Sequence, residues 1–136
     1  MPHTEYRQFA DSMSAAADAA YEDVRQSFLI RLHGEKTRLA VLEAALQSAG
    51  PDPVSAFLDL ETFAHRLRGA AAVFDFPGLR DDSKVLELAA AGAAIHGSPC
   101  GEPDVQKAMG ILATRLTRLN GGAPGADVAL APVPAN

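Results

Sequence analysis

The sequence predicts an all-α fold, an antiparallel up-down four-helix bundle with an additional N-terminal helix. Three observations predict it. Ala and Leu abound, β-branched residues are sparse, and aromatic residues make up 6% of the chain with no Trp, a composition that favours helices over sheet. Apolar residues recur at spacings of three and four along most of the chain, the period of a helix with one face in a core. Clusters rich in Gly and Pro at 50–53, 75–78 and 97–101 divide that pattern into helix-length pieces joined by short loops, as in an antiparallel bundle.

Taken in order, Thr4 is a candidate N-cap for a first helix whose apolar face is Tyr6, Phe9, Met13, Ala16 or Ala17, and Ala20. Ser14 and Asp18 are able to cap a restart, and no Gly or Pro separates this segment from the next, so propensity leaves open whether the helix breaks there. The first segment is expected to lie across one end of the bundle. From about 21 to 49 the stripe Val24, Phe28, Leu32, Leu39, Leu42, Leu46 and Ala49 marks a long amphipathic helix. Glu35 interrupts it beside Gly34 and is expected to turn toward Arg31 or Arg38 or to make a buried polar contact. Leu29 and Ile30 lie off the stripe, either packed under the first helix or available to a partner.

At Gly50-Pro51-Asp52-Pro53 one helix ends on Gly50, and the next starts with Asp52 as N-cap and Pro53 at its first position. Asp75-Phe76-Pro77-Gly78 is the following turn. Leu79, Ser83, Leu86, Ala90 and Ala93 then form another core stripe. After the loop at 97–101, Glu102 and Pro103 read as cap and first position of a helix with Val105, Ala108, Met109, Leu112, Leu116 and Leu119 inward, ended by Asn120-Gly121-Gly122. The reading is one helical domain over 1–120 and a disordered tail over 121–136, which carries one charge and no periodicity.

A chain of 136 residues suits a single core. Its net charge of −5 opposes non-specific attraction to nucleic acid or an anionic membrane surface. Cys100 is the only cysteine, so no intrachain disulfide forms and a reducing compartment is expected. The chain has neither a signal-peptide pattern nor an apolar run of membrane-spanning length. A cytoplasmic monomer is the expectation. His3, His33, His65 and His96 fall in separate segments without i,i+4 pairing, so a metal or haem bundle is not favoured, and His3, His33 and His96 read as surface residues.

The chemistry concentrates in the helix before Phe74. Phe57, Leu60, Ala64, Leu67, Ala71 and Phe74 form its core stripe, and His65 stands well away from that stripe at about 100° per residue. Its imidazole is therefore expected to face solvent, on a surface shared with Leu58, Thr62, Gly69 and Ala72. Beyond His65 that surface is almost bare, although Gly costs about 0.5–1 kcal/mol relative to Ala inside a helix. An ordinary histidine has a pKa of about 6.5, so near neutrality one ring nitrogen keeps a lone pair and is a nucleophile. Arg68, three residues on, is placed to reach the oxygens of a phosphoryl group on His65, and Arg66 adds positive potential from the flank. Gly69 removes a side chain beside the ring. Glu61, four residues before His65, is the local candidate to hydrogen-bond the other ring nitrogen.

Around these residues the chain resembles the histidine-containing phosphotransfer (HPt) domains of bacterial phosphorelays. Their pattern is Ala-His-x-Leu-(Lys/Arg)-Gly, then small residues and an apolar residue, with Leu and Leu-Glu later. Here it corresponds to Ala64-His65-Arg66-Leu67-Arg68-Gly69-Ala70-Ala71-Ala72-Val73-Phe74, then Leu79 and Leu86-Glu87. Ala70 stands where the family often has Ser, and Asp75, a possible cap for the next helix, where it often has Gly. The resemblance implies a phosphocarrier, not an enzyme with kinase activity of its own. His65 would accept a phosphoryl group from a receiver-domain aspartate, through Nε2, and pass it to the aspartate of another receiver. It further implies that the partners are the receiver domains of a hybrid histidine kinase and of a response regulator, that Mg2+ is supplied by the receiver and no cofactor by this chain, and that Leu58, Glu61, Thr62, Ala72 and Leu29 contribute to docking. A helical adaptor that binds a partner through the same face is the competing reading.

Overall fold

The structure, a computed structural model, describes residues 2–96, 101–121 and 127. Its regular elements are four helices: α1 (Pro2–Gln47), α2 (Val54–Val73), α3 (Pro77–His96) and α4 (Glu102–Asn120). They form a four-helix bundle in which α2 packs most extensively on α3, α3 on α4 and α4 on α1, while α1 and α2 touch least. No strand occurs among the described residues.

The stripes read from sequence supply the core. Phe28, Leu32, Leu39, Leu42 and Leu46 of α1 are buried together with Phe57, Leu60, Ala64, Leu67 and Ala71 of α2. Leu79, Leu86, Ala90 and Ala93 of α3 and Val105, Ala108, Met109, Leu112, Leu116 and Leu119 of α4 complete it. Ala49 and Phe74 are partly buried against the same cluster. Gly50, at φ 66°, turns the chain after α1. Asp52 does precede α2, but the helix starts at Val54, and the Asp52 carboxylate accepts only a long 3.4 Å bond from the Val54 N–H. α4 instead starts one residue earlier than expected, with Gly101 in the cap position and Glu102 already helical.

Two expectations are overturned at the N-terminus. There is no separate N-terminal helix laid across the bundle: the first segment is the beginning of α1, which runs unbroken through Ser14, Asp18 and Gly34. Ala15–Ala17 and Ala19–Ala20 are strong helix formers, and neither Gly nor Pro interrupts the chain before Gly34. Tyr6, Phe9, Met13 and Val24, expected to pack inward, are 73%, 63%, 59% and 52% exposed, because α1 has outrun the bundle by then. Ile30 is exposed as well, whereas Leu29 packs against the core rather than standing free.

Where α1 meets the bundle, an aromatic cluster clamps the α2–α3 turn. Phe28 stacks on Phe74 at 4.9 Å between centroids and touches Phe76 at 5.6 Å. The Arg25 guanidinium lies 4.3 Å over the Phe76 ring while its Nε donates to the Phe74 carbonyl at 3.2 Å. Within that turn Asp75 adopts φ 61°, the left-handed conformation that glycine takes without steric cost, which is the physical reason a Gly suits this position. Asp75 does not cap α3. The cap comes from Asp127, whose carboxylate accepts from the Gly78 and Leu79 N–H groups at 3.0 and 2.9 Å. Gly78 must be glycine there, since a Cβ would overlap the Asp127 carbonyl and the Arg115 guanidinium. Thr4, Cys100 and the rest of the tail expected to be disordered lie outside the residues described in side-chain detail, as does His3.

Candidate functional site

Ala64 and Leu67 fix the roll of α2, because both are buried to 3% exposure or less. Their burial turns the His65 side chain outward, 66% exposed. Across the helix interface Leu79, Ser83 and Leu86 set the roll of α3 in the same way, and one turn beyond Ser83 the Glu87 side chain comes to the rim, 11% exposed. Its Oε2 lies 2.8 Å from His65 Nδ1, and its Oε1 lies 3.1 Å from Arg68 Nη1. Glu87 thus bridges the ring and the guanidinium.

A carboxylate only accepts hydrogen bonds, so Nδ1 carries the hydrogen in this contact and donates it. In the neutral ring the lone pair then resides on Nε2, the nitrogen Glu87 does not engage. Arg68 Nη2 also approaches Nδ1, at 3.4 Å; both atoms are donors in that tautomer, and their proximity follows from sharing one carboxylate. Nearly buried Glu87 carries its charge with two partners in place, which meets the cost of holding a carboxylate away from water.

The carboxylate expected to orient the ring was Glu61. Glu61 is half-buried on α2 and makes no bond to His65; Glu87, from another helix and 22 residues away, takes that place. The surrounding surface divides in two. Arg68, Gly69 and Ala72 line a cleft of ≈ 370 Å³ with Arg80, Asp81 and Lys84 of α3. Thr62 and Arg66 instead line a groove of ≈ 620 Å³ between α1 and α2, where Arg31, Glu35 and Arg38 also reside, so Arg66 is turned away from the Glu87 side of His65. Glu35 makes no ion pair with Arg31 or Arg38 within 4.0 Å. A Cβ on Gly69 would meet nothing within 4 Å, so the bundle itself does not require glycine there. Leu58 is 48% exposed on the same helix, with its carbonyl accepting from the Thr62 hydroxyl.

Sequence reasoning also missed Arg115. It is 5% exposed in α4 and its Nε donates to Asp82 of α3 at 2.8 Å. The signal was present, because Arg115 falls one turn after Leu112 and one before Leu119, inside the arc of the inward stripe. Among the described residues no three His, Cys, Asp or Glu side chains converge as a metal site, and no helix is long and apolar enough to cross a membrane. The chain matches no protein-family model, no curated protein and no solved structure.

Proposed function

We propose that the chain is a phosphorelay intermediate, in which His65 takes a phosphoryl group from the aspartate of one receiver domain and gives it to the aspartate of another. The observation that carries this reading is the 2.8 Å contact of Glu87 with His65 Nδ1, which leaves Nε2 of an exposed ring as the nucleophile. The motif from Ala64 to Phe74, with its HPt-like order of residues, supports it independently.

In the proposed transfer the Nε2 lone pair attacks phosphorus in line, the N–P bond forms, and the P–O bond to the receiver aspartate breaks, returning a carboxylate. Nδ1 keeps its proton throughout, so the phosphorylated ring is cationic. The Glu87 carboxylate, already hydrogen-bonded to Nδ1, stabilises that charge without reorganising. Arg68 has two duties: it fixes Glu87, and it places positive charge within one turn of a phosphoryl group that carries close to two negative charges, by analogy with about −1.5 to −2 for oxygen esters. Lys84 of the adjoining cleft adds to the potential that draws an acidic receiver site, while Arg80 there is paired with Asp81. Gly69 and Ala72 leave room for the visiting domain. The Mg2+ is the receiver's, and the setting is the cytoplasm, where such receivers work.

The test is incubation of the full chain with receivers phosphorylated by a small phosphodonor, followed by mapping of acid-labile phosphate. The expected result is label on His65, absent in His65→Gln, with melting of that variant unchanged because the side chain faces water. Receiver binding without phosphate uptake would establish an adaptor instead.

A further inference from the structure

Residues 5–20 of α1 touch no other helix among the described residues. Residues 5–24 are exposed without interruption, a span of about 30 Å at 1.5 Å per residue, and contact with the bundle begins only at Tyr21, whose hydroxyl donates to the Val73 carbonyl at 3.3 Å. Yet this segment is amphipathic. Tyr6, Phe9, Met13, Ala17 and Ala20 share one face, and that face continues the line of Phe28 and Leu32 in the core. Bulky apolar side chains clustered on one face of a projecting helix mark an interaction surface rather than scattered surface residues.

The spacing identifies the occupant. Steps of three, four, four and three residues separate positions 6, 9, 13, 17 and 20, a pattern that reads identically in both directions about Met13. An antiparallel pairing with a two-fold axis at Met13 therefore sets every position of the stripe against a position of the same stripe. It places Tyr6 opposite Ala20 and Phe9 opposite Ala17, large against small, which is how two helices interdigitate at 8–10 Å separation. The charges agree with that register. At about 100° per residue Asp11 and Asp18 fall on the side of the helix away from the stripe and Glu5 lies at its flank, so the pairing brings no carboxylate of residues 5–21 against another. With about 150–250 Å² for each fully buried aromatic side chain, Tyr6 and Phe9 contribute at most about 300–500 Å² per copy, which puts the pairing among small, concentration-dependent contacts.

We infer that the occupant is a second copy of this chain, joined through residues 5–24 of α1 as an antiparallel two-helix contact, in place of the monomer expected from sequence. The two-fold contact is isologous and closes at a dimer. The His65, Arg68 and Glu87 set belongs to α2 and α3 and is not part of the stripe. The inference does not depend on the proposed phosphotransfer.

Light scattering and sedimentation on the full chain between about 1 and 200 μM, the range suited to an interface of this size, should show mass rising to twice the 14.2 kDa of the chain. Phe9→Asp and, separately, Met13→Asp should return it to monomer with unchanged helical content. In a Cys100→Ser background, Met13→Cys should form a disulfide with itself. Tyr6→Cys should not, its counterpart being about 21 Å away along the axis, but should cross-link to Ala20→Cys when the two are mixed. Monomer at every concentration, with the stripe then left to another protein or to residues 128–136, overturns the inference. So does a dimer indifferent to both aspartate variants, or self-linking of Tyr6→Cys, which denotes parallel helices.

Discussion

Two arginine–carboxylate pairs tie α3 to its neighbours, and they differ in how much water they see. Arg115 and Asp82, between α4 and α3, are 5% and 15% exposed; Arg68 and Glu87, between α2 and α3, are 34% and 11% exposed, with His65 beside them at 66%. The first pair is sealed and lies next to the glycine and the Asp127 cap that start α3. The second stops at the rim and holds one nitrogen of an imidazole whose other nitrogen it leaves alone. The same ion-pair chemistry is thus architectural where it is enclosed and positions a nucleophile where it is open.

The sharpest way to break this contrast is at the sealed pair. Arg115→Leu leaves Asp82 without its guanidinium in a largely buried place and should cost about 3 kcal/mol of stability, read from denaturant unfolding, while phosphate uptake per folded molecule stays the same. At the open pair the balance should reverse. Glu87→Ala should cost less than about 1 kcal/mol, as expected for partly exposed partners, yet slow phosphoryl uptake about tenfold, equivalent to about 1.4 kcal/mol in the barrier. Glu87→Gln should recover part of the rate, because its carbonyl still accepts from Nδ1–H while the charge that stabilises the cationic ring is gone. A merely structural role for Glu87 would give the two variants the same rate.

Smaller effects refine the comparison. Gly69→Gln adds a side chain that meets nothing within the bundle, so thermal melting should not fall, whereas transfer from a receiver should slow several-fold by obstruction. Normal transfer rates in that variant would show that Gly69 is not a clearance. Asp75→Gly, at the left-handed position of the α2–α3 turn, should raise stability by about 0.5–1 kcal/mol and leave transfer untouched.

The contrast also explains what was legible in the chain. Helix stripes such as Leu79, Ser83, Leu86 and Ala90 are local patterns, and the fold class and the outward roll of His65 follow from them. Glu87 was visible as a residue of the motif but not as the partner of His65, because the choice between Glu61 and Glu87 depends on how α2 and α3 are phased against each other. Periodicity within one helix carries no information on that phase. The Asp127 cap, 48 and 49 residues from its donors, is invisible for the same reason. At the N-terminus the apolar stripe was read correctly as amphipathic and wrongly as buried, since a stripe records that a face seeks cover and not which molecule supplies it.

The central claim is that Glu87 fixes the His65 tautomer with hydrogen on Nδ1 and the lone pair on Nε2. Long-range 1H–15N correlation of the His65 ring, recorded above pH 8 where an ordinary histidine is neutral, tests it directly. The account predicts a protonated Nδ1 and a bare Nε2 in the full chain, with Nδ1 protonation lost from dominance in Glu87→Ala. A ring protonated at Nε2 in the unsubstituted protein, or a tautomer indifferent to Glu87→Ala, would contradict it.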